Sequence, residues 1–138
     1  MKISAKLTNE KGRHTVSLNT AGNEHSLTVA PKSEGCGSSV NGGELLFLAV
    51  ATCYCNDLYR EAKKRNITIH QVQVEVSGEF GDEGEGARNI TYSTSVKADA
   101  SQAEITELMR HTDTVAEIHN TLRASAPVTL THCEGKQS

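Results

Sequence analysis

Two thiols, Cys53 and Cys55, close the segment NGGELLFLAVATCYCNDL, residues 41–58. A single tyrosine separates them, so the spacing is not the CxxC of redox and zinc motifs. On a helix, residues two apart point about 200° apart. Joining the two sulfurs in a disulfide, or ligating one metal with both, would require the helix to unwind. They are therefore two separate thiols. A cysteine in such an apolar segment is either a small core hydrophobe or a nucleophile. Nucleophilic work requires the thiolate, which burial disfavours and a nearby cation restores. Cys53 shares a helical face with Leu46, Ala49 and Val50, expected to be the most buried stripe; Cys55 shares one with Leu48 and Tyr59.

The remaining reactive residue types converge less. Glu44 stands three residues after Asn41, which is capping-box spacing. The six histidines (His14, His25, His70, His111, His119, His132) show no HxxxH or HxH spacing. His132 and Cys133 are neighbours, and on a strand they point to opposite faces. A zinc site needs convergent ligands, so no metal is expected, and His119 reads as a helix-surface residue. SEGCGSSVNGG lacks the Lys and the spacing of a phosphate-binding loop; it reads as a flexible entry to a helix, with Cys36 as its loop cysteine.

These residues need a frame. KISAKLT, RHTVSLN and HSLTVA alternate apolar and polar positions, with NEKG and NTAGNE between them; that pattern predicts three short antiparallel strands. A helix follows from about residue 42 to 66, its first half apolar all round and so in need of cover on every side. Its second half, from Asn56, turns charged and is expected to emerge into solvent. The basic REAKKR, residues 60–65, suits a solvated helix end. TIHQVQVEVSGEF and RNITYSTSVKAD alternate around the acidic, glycine-rich GDEGEGA and predict an exposed hairpin. Ser101 and Glu104 open a second helix that continues to Leu122, with a break expected near His111 to Asp113. PVTLTHC predicts a final strand. Strands and helices are mostly segregated, which favours an α+β fold over a doubly wound one.

Composition bounds the rest. A chain of 138 residues suits one domain, residues 1–138. Only 36% of residues are hydrophobic and 4% aromatic, with no Trp, so a second copy would help complete the burial. A net charge of −3 from 14 basic and 17 acidic residues gives no general pull toward nucleic acid or anionic lipid. The N-terminal residues lack the apolar core of a signal peptide, and the run Leu45 to Ala51 is too short to span a bilayer. The expectation is a cytoplasmic protein with reduced thiols at Cys36, Cys53, Cys55 and Cys133.

NGGELLFLAVATCYCNDLYREAKKRNI resembles the central helix of the OsmC/Ohr family, in which a reactive Cys follows an Asn by twelve residues; Asn41 and Cys53 keep that spacing. The resemblance extends over nearly the whole chain: three N-terminal strands, a Gly-rich loop, VEVSGEF, and a second helix ending in LR before PVTL. It implies an α+β fold with antiparallel sheets around a long buried central helix plus a second helix, built as an intertwined homodimer with the site at the dimer interface. It also implies reduction of organic hydroperoxides in stress defence, without a cofactor. A thiolate attacks the O–O bond, becomes a sulfenic acid, and is closed into a disulfide by a second Cys. By this resemblance Cys53 is the reactive thiol, and Arg13 falls near the family's assisting Arg. The assisting Glu falls on Gly43, with Glu44 one residue later. Ala116 stands where the resolving Cys belongs, in AEIHNTLR. Several routes stay open. Cys36 resolves Cys53; or Cys55 does so after helix distortion or from the other subunit; or an external thiol recycles Cys53; or Cys53 is not catalytic. The alternative to a peroxidase is a dimeric module binding a small apolar or electrophilic molecule.

Overall fold

The computed structural model describes residues 1–138. It divides into two compact units, Met1–Leu46 and Phe47–Ser138.

In the first unit, β1 (Ile3–Glu10), β2 (Arg13–Thr20) and β3 (Asn23–Ser26) form an antiparallel sheet in the order β1-β2-β3. Thr20 pairs with Asn23 across a two-residue turn, Ala21–Gly22, in which both residues have positive φ, 51° and 86°. A turn with two positive φ values matches the twist of the strands it joins. The Asn19 side chain accepts the Gly22 N–H at 3.0 Å and secures it. The loop after β3 is pinned by Asn9, whose side chain accepts the Gly37 N–H at 3.0 Å and donates to the Gly37 carbonyl at 3.2 Å.

Helix α1 (Gly42–Lys64) opens on the expected capping box. The Asn41 side chain accepts the Glu44 N–H at 2.8 Å, and the Glu44 carboxylate accepts the Asn41 N–H at 2.9 Å. The helix ends where Asn66 takes the left-handed conformation, φ 53°, a conformation that Asn tolerates better than most residues.

In the second unit, β4 (Ile69–Phe80) and β5 (Ala87–Ala98) form the expected antiparallel hairpin, with Val72 opposite Val96, Val74 opposite Thr94 and Val76 opposite Tyr92. Gly78 sits at a register shift in β4, where a Cβ would lie 2.8 Å from the Phe47 ring. Tyr54, Leu58 and Ala62 of α1 pack with Leu108 as the core, and Val72, Val74, Tyr92, Val96 and Met109 close around them. Burying a side chain the size of Leu58 stabilises the fold by roughly 1.5–3 kcal/mol.

Helix α2 (Gln102–Val115) starts on the capping box of Ser101 and Glu104. The expected break at His111 to Asp113 does not occur. Those polar side chains are occupied instead: His111 meets Glu61, Thr112 donates to the Leu108 carbonyl at 2.8 Å, and Asp113 accepts from Tyr92 and Arg123. The break falls at Ala116, fully buried with an extended backbone (ψ 114°), and α3 (Glu117–Arg123) follows.

Two further expectations change. The charged second half of α1 is the buried one, carrying Asp57, Leu58, Glu61 and Ala62, whereas Leu48 in the apolar half is 58% exposed. Helix spacing places Val50, Tyr54, Asp57, Leu58 and Glu61 on the stripe that meets the hairpin and α2, so the stripe through Leu46 and Ala49 is not the deepest. PVTLTHC forms no strand: residues 126–138 are irregular, with Val128 99% and Leu130 81% exposed. A strand needs an edge to hydrogen-bond with, and this segment pairs with none in the chain. No helix is long and apolar enough to cross a membrane.

Candidate functional site

Cys53 lies on α1, half-buried, one turn before Asp57. Residues four apart on a helix lie one above the other, and the Cys53 thiol donates to Asp57 Oδ2 at 3.4 Å. The second contact comes from α3, where Glu117 Oε2 lies 4.0 Å from the sulfur. The start of α3, at Glu117 and Ile118, therefore lies against Cys53. Burial pushes the Cys53 thiol up; a backbone hydrogen bond at Ile118 opposes this, and the Asp57 and Glu117 carboxylates add to it.

Asp57 is only 7% exposed. Burial raises its pKa, and the neighbouring Glu117 carboxylate raises it further. The more exposed Glu117 is shifted down, by its own backbone N–H and by hydrogen bonds to Asp57 and Arg60. Of the two carboxylates Asp57 is therefore the stronger base. Arg60, one turn further along α1, supplies the compensating charge. Its Nη1 is 3.2 Å from Asp57 Oδ1 and 2.9 Å from Glu117 Oε1, and its Nε donates to Glu61 at 2.9 Å. Glu61 also accepts from Lys64 at 2.9 Å and lies 3.0 Å from His111. REAKKR is therefore no simple solvated end: it holds a buried carboxylate among three basic side chains.

Asp57, Arg60 and Glu117 are absent from the sequence-based candidates. For Asp57 and Arg60 a signal existed, since Cys53, Asp57 and Arg60 follow one another at helical spacing. Glu117 carries no local sign of its proximity, which depends on how α3 packs.

Arg13, Glu44 and Cys36 belong to the first unit. Arg13 opens β2 opposite Glu10 and is exposed. Glu44 accepts the Asn41 N–H through Oε1 in the α1 cap. Cys36 is exposed in the loop held by Asn9. Cys55, as expected, faces elsewhere than Cys53, lining a shallow hollow with Ala51, Val72 and Val74.

His119 departs from expectation. It is buried, 4% exposed, and neither ring nitrogen has a hydrogen-bond partner. It stacks on Tyr54 and meets Tyr92 edge-on. Burial, with Arg123 nearby, holds it below the ordinary histidine pKa and so neutral. It borders a hollow of about 280 Å³ with Val50, Ile90, Tyr92, Leu122 and Arg123. Val50 precedes Cys53 by three residues, so this partly apolar hollow flanks the thiol's stretch of α1. Tyr54 donates to the Met109 carbonyl at 2.8 Å, and burial pushes its pKa up to about 12.

The donor atoms of Cys53, Asp57 and Glu117 all lie within 4.8 Å of one another. That trio is dense enough to hold a metal ion, but Arg60 already bridges both carboxylates and would have to leave. The cluster as it stands suits proton handling around a thiol better than metal ligation.

The family model for OsmC-like protein matches residues 35–131. No curated protein matches the sequence. Solved structures share the fold. The OsmC-like protein from Mycoplasma pneumoniae is similar at a TM-score of 0.61 and 22% identity, over 88% of this chain and 86% of that one. The organic hydroperoxide resistance protein OhrB of Bacillus subtilis gives 0.53 and 21%, over 87% and 90%. An organic hydroperoxide resistance protein OsmC from Legionella pneumophila gives 0.52 and 21%, over 89% and 90%. With the family model spanning more than half of its residues and the same α+β fold in these structures, the chain belongs to the OsmC-like protein family.

Proposed function

We propose that this chain, a single OsmC-like domain, is a thiol-dependent reductase of organic hydroperoxides acting in stress defence, with Cys53 as the nucleophile. What supports the reading most is one observation: a half-buried thiol donates to a buried carboxylate, Asp57, beside the start of α3. The relatives named for organic hydroperoxide resistance point the same way. The hollow bordered by Val50, Ile90 and Leu122 offers an apolar wall, which favours an organic peroxide over hydrogen peroxide. Arg13 and Glu44 assist Cys53 within a homodimer. The exposed Leu48, Val128 and Leu130 are the apolar groups that a second copy would cover. Because Ala116 replaces the second cysteine, Cys36 or an external thiol reduces the sulfenic acid. The setting is cytoplasmic, and neither nucleic acid nor membrane takes part.

Stopped-flow mixing of reduced protein with cumene hydroperoxide tests this. The native protein is expected to consume peroxide and Cys53→Ser to lose that activity; equal rates would refute the assignment. Mass spectrometry after one equivalent of peroxide is expected to place the first oxidation on Cys53. Sedimentation at micromolar concentration is expected to give a dimer.

A second reading draws on a specific feature. Burial and two carboxylates hold the thiol protonated, as suits a non-peroxidase module that binds a small apolar or electrophilic molecule. A Cys53 that stays unmodified under peroxide would favour it.

A further inference from the structure

We infer that Asp57 is a catalytic proton carrier for Cys53, taking the thiol proton as sulfur attacks and delivering it to the departing alkoxide. This rests on the peroxidase reading above and adds to it a residue that neither Arg13 nor Glu44 replaces.

The need arises from the site's own electrostatics. A free thiol has a pKa of roughly 8.5, and burial, with Asp57 and Glu117 alongside, moves Cys53 upward. The resident form at neutral pH is the thiol, so a base has to act during the attack. The geometry provides one. The thiol points at Asp57 Oδ2, 3.4 Å away, while the other oxygen, Oδ1, lies 3.2 Å from Arg60. One oxygen faces Arg60, and the other faces the sulfur at a distance over which a proton can pass. The groups that act on Asp57 are the Cys53 thiol and the Arg60 guanidinium on α1 and the Glu117 carboxylate on α3. Glu117 raises the proton affinity of Asp57, which brings donor and acceptor closer in strength, and Arg60 keeps the pair of carboxylates from repelling outright.

The step balances. The Asp57 carboxylate accepts the Cys53 proton, and a sulfur lone pair bonds to the distal oxygen of an organic hydroperoxide. The O–O bond breaks, and the alkoxide leaves with the bonding pair and takes the proton from Asp57. Sulfur is oxidised by two electrons to the sulfenic acid, and the peroxide is reduced by two to the alcohol and the sulfenic hydroxyl. Asp57 returns to the carboxylate. Arg60 is a positioning residue in this scheme.

The test compares two reagents on the full-length native protein and Asp57→Asn. Iodoacetamide expels iodide, which needs no proton, whereas a hydroperoxide expels an alkoxide, which does. Removing the negative charge lowers the thiol pKa, so Asp57→Asn is expected to react with iodoacetamide at least as fast as the native protein at pH 7. With cumene hydroperoxide it is expected to be slower by about 100-fold, the lower range of general acid–base contributions. Asp57→Glu, which keeps the carboxylate, is expected to recover part of the hydroperoxide rate. The iodoacetamide rate and a thermal melt also report on the fold, so a disordered variant is recognised. If both reagents accelerate together in Asp57→Asn, the carboxylate is only an electrostatic brake and the inference is overturned, with the peroxidase reading intact. If native Cys53 forms no sulfenic acid at all, both fall.

Discussion

Replacing Glu117 with Gln isolates the field that α3 imposes on the Cys53 sulfur. Glu117 Oε2 lies 4.0 Å from Sγ, and its side chain is largely exposed. At 4 Å two unit charges interact by about 1 kcal/mol in a water-like dielectric, the limit appropriate to an exposed carboxylate. Neutralising Glu117 therefore favours the thiolate by about that 1 kcal/mol and lowers the thiol pKa. The sign is fixed: removing a negative charge favours the thiolate. Thiolate at pH 7 then rises about fivefold, and the lower basicity takes back about a factor of two in nucleophilicity. A net gain of about two- to threefold is expected in the iodoacetamide rate. The pH dependence of alkylation at Cys53, followed by mass spectrometry from pH 6 to 11, reads both the thiol pKa and the rate. An unchanged or raised pKa in Glu117→Gln would refute the placement of α3 against this thiol. With it would go the claim that the start of α3 borders the site.

Three other perturbations follow from the packing. Leu108→Ala empties a fully buried position in the core of Tyr54, Leu58 and Ala62 and is expected to destabilise by about 2–5 kcal/mol; a urea midpoint close to the native one would show that the core is elsewhere. Ser101→Ala removes the α2 cap and is expected to cost about 1 kcal/mol, measured in the same titration. Glu61 is held down to about 2 by Lys64 and Arg60, so its stabilising effect is complete above the ordinary carboxylate pKa and is lost as pH falls toward 2. Glu61→Gln is therefore expected to flatten the fall in thermal midpoint between pH 4.5 and 2, and a fall as steep as the native one would contradict that network.

Local rules sufficed for most of the frame. The alternation in β1, β2, β4 and β5, the two capping boxes and the Ala21–Gly22 turn depend on side chains within a few residues of one another, and each formed as its residues require. The divergence of Cys53 and Cys55 is likewise a matter of 3.6 residues per turn. Hydropathy misjudged α1, because the depth of a helix face is decided by what packs on it. Charged Asp57 and Glu61 are buried because Arg60 and Lys64 neutralise them and His111 hydrogen-bonds Glu61, while Leu48 stays exposed for want of a neighbour. The polar stretch His111 to Asp113 kept its helix because distant partners absorbed its side chains. PVTL stayed unpaired because an alternating sequence makes a strand only when an edge is offered. Cys53 itself was legible as the residue to watch, and Asp57 and Arg60 follow it at helical spacing. Glu117 was not: sixty-four residues separate it from the thiol, and no short-range rule acts over that separation. The turn at Ala116 and the docking of α3 bring that carboxylate to the sulfur, and with it the acidic surroundings that keep the thiol protonated.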